Sequence, residues 1–447
     1  MTSPTNDTPG GRLPEREAQA LREVGRTEIS RPAAALLAVL FLATLVAVPA
    51  IRPWSGSGEA TLAPFGELAS RLRQPAGVLR EPGPPAEDGA PEGRGLLPAN
   101  RRLIAALRAF EDRLEGGSWP RSRLLPPLQQ LLTGRLGVGN EQAYPGRGGW
   151  LYYRPDVDHL SGPGFLDPAQ LARRSRAGNA WEEPPQPDPV VALTGFARQV
   201  GERGAALVVL PVPVKPAIRP ESLARAGGPA PPVRNPSWPE LRRRLEAAGV
   251  AVVDPAPALA GLAGERYLRT DTHWRPEAVE EAARLLAAAI EPRLAPRAAG
   301  GSWRRRPVVV EGLGDIAAML RLPAGQRLFA AERVEIAMVL DAAGRPWRRD
   351  PAAEVLLLGD SFTNVYSDPA LGWGRGAGLA EQLAYELGRP VDKLALNAGG
   401  AYATRAALAR TLATGRVRLA GKRVVVYQFA TRELSGGDWR LVELTGG

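Results

Sequence analysis

The chain has no cysteine, only two histidines, His159 and His273, and three lysines, Lys215, Lys393 and Lys422, in 447 residues. Without cysteine there are no disulfides, thiolate zinc sites, iron–sulfur ligands or thiol nucleophiles. Two imidazoles leave no room for a histidine-rich metal cluster, so neither a metal nor a cofactor is expected. Acid–base chemistry through imidazole has two candidates. Three lysines among 57 basic residues leave 57 − 3 = 54 arginines, against 47 acidic residues and a formal charge of +10. The arginines are dispersed among the acids, without the basic runs or interleaved aromatics of a nucleic-acid groove, so nucleic acid is not an expected partner. With 50 glycines and 44 prolines beside them, they fit a GC-rich coding bias. The 44% apolar content is that of a chain with a buried core, and the length allows two or three domains.

One long uncharged stretch is present, the 19 residues from Ala33 to Ile51. It can cross a hydrocarbon layer of about 30 Å as a helix and exceeds the usual apolar core of a signal peptide. Arg16, Arg22, Arg26 and Arg31 precede it, whereas Arg52 is the sole basic residue from there to Ser70, which keeps the N-terminus in the cytoplasm. The expected order is a cytoplasmic tail over 1–32, a transmembrane anchor over 33–51, a linker over 52–143 and a folded domain over 144–447. Val48 and Ala50 also suit signal-peptidase cleavage, the alternative to an uncleaved anchor. The linker holds six prolines and five glycines in the 26 residues from Gln74 to Ala99, a composition suited to a tether. Asn100 to Glu115 has the periodicity of an amphipathic helix.

Beyond Tyr144 the pattern alternates. Helices are predicted over Asp188–Arg203, Trp238–Ala248, Pro276–Ile290, Arg375–Leu387 and Thr404–Thr414. Strands are predicted over Ala205–Val214, Val250–Val253, Glu354–Leu358, Lys393–Leu396 and Arg423–Phe429. Such alternation implies an α/β fold, a mostly parallel sheet with helices on both faces. Reactive side chains in such sheets gather at the carboxyl ends of the strands.

Two short motifs carry chemistry. Gly359-Asp360-Ser361-Phe362 follows the apolar strand EVLLL. A serine there is either a nucleophile on a tight turn, with its own N–H facing an oxyanion, or the cap of an ordinary strand exit. Asp271-Thr272-His273-Trp274 precedes the Pro276 helix. In an extended segment residues i and i+2 share a side, so Asp271 can orient His273 as a base; alternatively Asp271 or Thr272 caps the helix. A metal on the Asp271–His273 pair lacks further ligands. His159, in RPDVDHLSGPGF, reads as a surface loop residue, Lys215 as a solvated lysine, and Trp274 and Trp373 as either core anchors or platforms for a sugar ring.

GRGGWLYYRPD, LPVPVKPAIRPESL, DTHW, LLLGDSFTN and VVVYQFATREL, in this order with the Asp-x-His pair ahead of the serine, resemble the SGNH-hydrolase-like domain of the alginate O-acetyltransferase family over about Tyr144 to Leu441. These are bacterial cell-envelope proteins that acetylate exopolysaccharides. The resemblance implies an SGNH-hydrolase-like, flavodoxin-like fold with Ser361 as nucleophile, His273 as base and Asp271 as its orienter. It also implies an inner-membrane, periplasm-facing enzyme, a polysaccharide acceptor, and a membrane-bound O-acyltransferase partner that supplies acetyl groups. The Gly-x-Asn-Asp block of GDSL esterases is missing. Asn397 and Gly399, after the strand KLAL, are its nearest chemical equivalent for an oxyanion or else a plain glycine turn, and Arg432 is a candidate for a sugar carboxylate or for pairing with Glu433 or another acid. The competing functions are a carbohydrate acetyl esterase using the same three residues, and a non-catalytic polysaccharide-binding subunit of an export complex.

Overall fold

The computed structural model describes residues 123–177, 185–223, 232–296, 303–414 and 419–445. The apolar stretch Ala33–Ile51 and the helix expected over Asn100–Glu115 lie outside these residues. Among the described residues no helix is long and apolar enough to cross a membrane.

The described strands are β1 (Ala143–Pro145), β2 (Leu151–Tyr153), β3 (Ala206–Val212), β4 (Ala251–Val252), β5 (Arg304–Gly312), β6 (Glu332–Leu340), β7 (Val355–Gly359), β8 (Asp392–Ala395) and β9 (Val424–Ala430). Five of them form one sheet in the order β4-β3-β9-β7-β8, parallel throughout. The central strands β3, β9 and β7 are almost uniformly apolar because both of their faces are covered. Alternation sorts their side chains. Val208, Leu210, Val355, Leu357, Val424 and Val426 join the core under the helices Pro276–Ile290 and Leu379–Leu387. Leu207, Val209, Leu356, Leu358, Val425 and Tyr427 join the opposite core with the helices Pro189–Gly201, Trp238–Ala247 and Ala403–Ala413.

Strands of this sheet that follow one another in the sequence are joined by helical crossovers, as a parallel sheet requires. The helix Trp238–Ala247 lies between β3 and β4, Leu379–Leu387 between β7 and β8, and Ala403–Ala413 between β8 and β9. Between β4 and β7 the chain makes a long excursion that holds the Asp271–Trp274 segment, the helix Pro276–Ile290 and the antiparallel hairpin β5/β6. Periodicity did not reveal that hairpin. Its strand Arg304–Gly312 opens on three arginines and contains Pro307, a charged pattern that a sheet tolerates at an unpaired edge. Its partner buries Val334, Ile336 and Met338.

Candidate active site

The serine turn is built by its neighbours. Gly359 ends β7, and a Cβ there would lie 2.1 Å from Thr363 Oγ1 and 2.8 Å from Gln428 Oε1, so the strand can turn this tightly only on glycine. Asp360 caps the short helix Ser361–Asn364: its Oδ1 accepts from the Phe362 N–H at 2.8 Å and its Oδ2 from the Ala430 N–H at 3.1 Å. The Asp360 N–H and the Thr363 hydroxyl both donate to the buried Gln428 Oε1, at 3.0 and 2.8 Å. Ser361 is thus clamped between β7 and β9 at their carboxyl ends. Its own N–H, in the first turn of a helix, has no hydrogen-bond partner among the described residues.

The second segment is a pinched loop. Tyr267 and Trp274 bridge across it, and the Leu268 N–H donates to the His273 carbonyl at 3.1 Å. Thr270 to Trp274 are all buried. Asp271 and His273 meet here through a bend, not through the extended geometry assumed from the i, i+2 spacing. One carboxylate oxygen, Asp271 Oδ1, accepts from both the His273 N–H at 3.0 Å and Nδ1 at 2.6 Å. With Nδ1 held in this way, Nε2 lies 2.8 Å from Ser361 Oγ. The Phe362 ring packs 4.8 Å from the imidazole and 5.7 Å from Trp274, closing the pair from behind.

The second oxygen of Asp271 accepts from Trp373 Nε1 at 2.8 Å and from the Asp315 N–H at 3.1 Å. The sequence pointed to Trp373 only as a core anchor or sugar platform and did not point to Asp315. Asp315 also accepts from Thr272, from N at 2.7 Å and from Oγ1 at 2.7 Å, and its Oδ2 lies 3.9 Å from His273 Nδ1. The only local sign was Gly-Leu-Gly-Asp ahead of a short apolar run, an ordinary helix start.

Burial pushes the Asp271 carboxyl up, but the His273 charge and the bonds from His273 and Trp373 outweigh it and hold the group well below its ordinary range. Burial pushes the His273 imidazole down, while Asp271, aided by Asp315, outweighs it and leaves the ring above its ordinary 6.5. For Asp315, burial and the Asp271 charge both push the carboxyl up. Asp271, His273 and Asp315 have ligand atoms within 4.8 Å of one another and are the one such donor group among the described residues. Nδ1 is already bonded to Asp271 Oδ1, and the Asp315 oxygens to Thr272, so the free nitrogen of the ring is Nε2, which faces Ser361 Oγ and can take its proton.

Other residues singled out in the sequence lie elsewhere. Trp274 is fully buried and donates Nε1 to the Phe362 carbonyl at 3.0 Å, so it is a core anchor and not a platform for a sugar ring. Trp373 is likewise buried, and its polar edge holds Asp271. Asn397 is exposed, donates to Asp368 Oδ2 at 2.8 Å and accepts from Asn364 Nδ2 at 3.0 Å. The Gly399 carbonyl accepts from the Ala403 N–H at 3.2 Å. None of these bonds runs to Ser361 or His273.

Arg432 pairs with the buried Asp156 at 3.1 Å, with Glu433 further off at 3.8 Å, and its guanidinium stands 5.4 Å from the Phe362 ring and 5.3 Å from the Tyr153 ring. His159 is not a surface loop residue: it lies buried on the helix Arg154–Ser161, 2.6 Å from Ser435 Oγ, and burial beside Arg432 lowers it to about 4. Lys215 is not solvated either. It is fully buried, donates to the carbonyls of Leu151 at 2.7 Å and Arg269 at 3.2 Å, and burial lowers it to about 8.

Residues 144–431 match the family described as ALGX, SGNH hydrolase-like domain, acetyltransferase AlgX. The chain belongs to this SGNH-hydrolase-like acetyltransferase family. The family is one of enzymes, and it is related to the alginate O-acetyltransferases AlgX and AlgJ. Among solved structures, the chain is similar to the O-acetyltransferase domain of Pseudomonas putida AlgJ, at 19% identity and a TM-score of 0.49, over 66% of this chain and 92% of that one. It is also similar to Pseudomonas aeruginosa AlgX, at 16% identity and a TM-score of 0.43, over 64% of this chain and 61% of that one. Bacillus cereus PatB1 is similar at 11% identity and a TM-score of 0.39, over 68% of this chain and all of that one. No curated protein sequence matches the chain.

Proposed function

We propose that the protein is an O-acetyltransferase that moves an acetyl group through Ser361 to a hydroxyl of an exported polysaccharide. The observation that carries this reading is the contact of His273 Nε2 with Ser361 Oγ at 2.8 Å, with Nδ1 fixed on Asp271 at 2.6 Å, in a chain whose residues 144–431 match an acetyltransferase family. His273 takes the Ser361 proton as Oγ attacks the acetyl carbonyl, and returns it to the departing donor group. A sugar hydroxyl then loses its proton to His273 as it attacks the acetyl-serine, and the proton passes back to Ser361 as the ester is released. Asp271 holds the ring in the tautomer that leaves Nε2 free to accept and stabilises the imidazolium. The Ser361 N–H is the oxyanion donor this turn offers, a contribution of about 3 kcal/mol.

Arg432 lines a cavity of about 320 Å³ together with His159, Arg173, Arg174 and Ser435, a basic surface for an acidic part of the polysaccharide outside the reacting pair, and it packs on Phe362. An uncleaved anchor over 33–51 places this domain on the periplasmic side of the inner membrane, within reach of a membrane-bound O-acyltransferase as the acetyl source.

The test is to incubate the protein with an activated acetyl ester, with and without an oligosaccharide acceptor, and to follow intact mass and products beside Ser361→Ala. A Ser361-dependent acetyl adduct that decays to acetylated sugar is the expected result. Acetate release indifferent to acceptor would make the protein an esterase. No adduct and no turnover from folded protein would leave it a binding subunit.

A further inference from the structure

We propose that Asp315 is a second carboxylate for His273, a positioning residue that steadies the ring and supports its positive charge. The proposal rests on His273 acting as the base of the reading above.

The position of Asp315 is built by close backbone contact, not by chance proximity. A Cβ on Gly314 would lie 2.3 Å from the Thr270 carbonyl carbon and 2.4 Å from the Asp271 nitrogen, so glycine lets this segment lie directly against the loop that carries the histidine. The Gly314 N–H donates to Thr270 Oγ1 at 3.1 Å and the Ala317 N–H to the Thr270 carbonyl at 3.2 Å. The bonds between Asp315 and the loop then run in both directions. Its N–H donates to Asp271 Oδ2, and its two carboxylate oxygens accept from Thr272 N and Thr272 Oγ1. These bonds leave Asp315 Oδ2 at 3.9 Å from His273 Nδ1, on the same ring edge that Asp271 holds.

A negative charge at this distance favours the imidazolium over the neutral ring. Burial and the Asp271 charge push the Asp315 carboxyl up, and the His273 charge, the two hydrogen bonds from Thr272 and its one-third exposure to water work against that push. The other charges that bear on this edge are Arg432, which opposes protonation of His273, and Lys215, which feels both Asp271 and Asp315. A purely structural role for Asp315, bracing Thr272, needs the hydrogen bonds but not the charge. The two roles therefore separate in an isosteric neutral variant.

The chain has only two histidines, so the imidazole Hε1 signals of the full-length protein report His273 directly by NMR once His159→Gln assigns the other. The expected result is a His273 titration midpoint above the ordinary value in the parent and lower in Asp315→Asn. Asp315→Glu should keep the elevation, and the His159 signal should stay in place. The acid limb of acetyl-ester turnover should move to lower pH with the same variant. Should the asparagine variant fail to fold, Asp315→Ser also removes the charge and serves in its place. A His273 midpoint unchanged by loss of the charge overturns the proposal. Because the titration needs no turnover, a midpoint that shifts in a protein without acetyl-transfer activity sustains the pairing while sinking the transferase reading.

Discussion

At the scale of single residues, the site depends on how Asp271 divides its two oxygens. One holds His273 twice and the other takes the Trp373 and Asp315 N–H groups, so the carboxylate is fully engaged in a buried setting. Asp271→Asn should lower kcat by a factor on the order of 10⁴, since an amide no longer fixes the tautomer or balances the imidazolium; steady-state turnover of an acetyl ester measures it. Trp373→Phe keeps an aromatic ring but removes one N–H from a buried carboxylate and leaves a small void where the indole was. Urea unfolding should show it less stable by about 1.5–3 kcal/mol, with Asp271 still held by Asp315. Asp271, His273 and Ser361 were legible as candidates because each lies in a compact motif. Trp373 was singled out only as a core anchor or sugar platform and Asp315 not at all, because they reach Asp271 from a loop 102 residues away and a helix start 44 residues away, and a tryptophan between glycines or an aspartate opening a short helix has many commoner explanations.

At the scale of elements, the reactive groups sit on turns whose shape is set by glycine and by buried polar side chains. Gly359→Ala would drive a methyl into Thr363 and Gln428; a loss of about 1–3 kcal/mol in unfolding free energy is expected, with slower formation of the acetyl adduct. Lys215 joins β2 to the loop that carries Asp271 through the carbonyls of Leu151 and Arg269. Its folded-state pKa of about 8 lies below the 10.5 of an unburied lysine. Between these values the unfolded chain binds more protons than the folded one, so this group's contribution to stability rises with pH across that window. Lys215→Met should flatten stability against pH there, as followed by denaturant midpoints between pH 8 and 10.5. In the sequence this lysine looked like any residue after a strand, and only the packing of β2 over it shows that it is buried.

For the whole molecule, the coupled charges predict how stability follows pH. The His273 pKa is raised on folding, so its contribution is complete below 6.5 and is lost as pH rises through the folded value. The Asp271 pKa is depressed, so its contribution is complete above 3.8 and is lost as pH falls through the folded value. The pair therefore stabilises most between the two ordinary values, and the excess Tm of the parent over His273→Gln should be greatest there and shrink on the alkaline side. By itself the sequence determined the parallel α/β sheet, most of its strands and helices, and the two motifs that hold reactive groups, because apolar periodicity and turn chemistry are local signals. The tertiary structure alone decided that Ser361 and His273, 88 residues apart, meet at 2.8 Å. It also brought Asp315 and Trp373 to Asp271 and buried Lys215 and His159. Those outcomes depend on the strand order, which places β9 between β3 and β7, and on how the excursion between β4 and β7 folds back onto the sheet, and no local pattern encodes either.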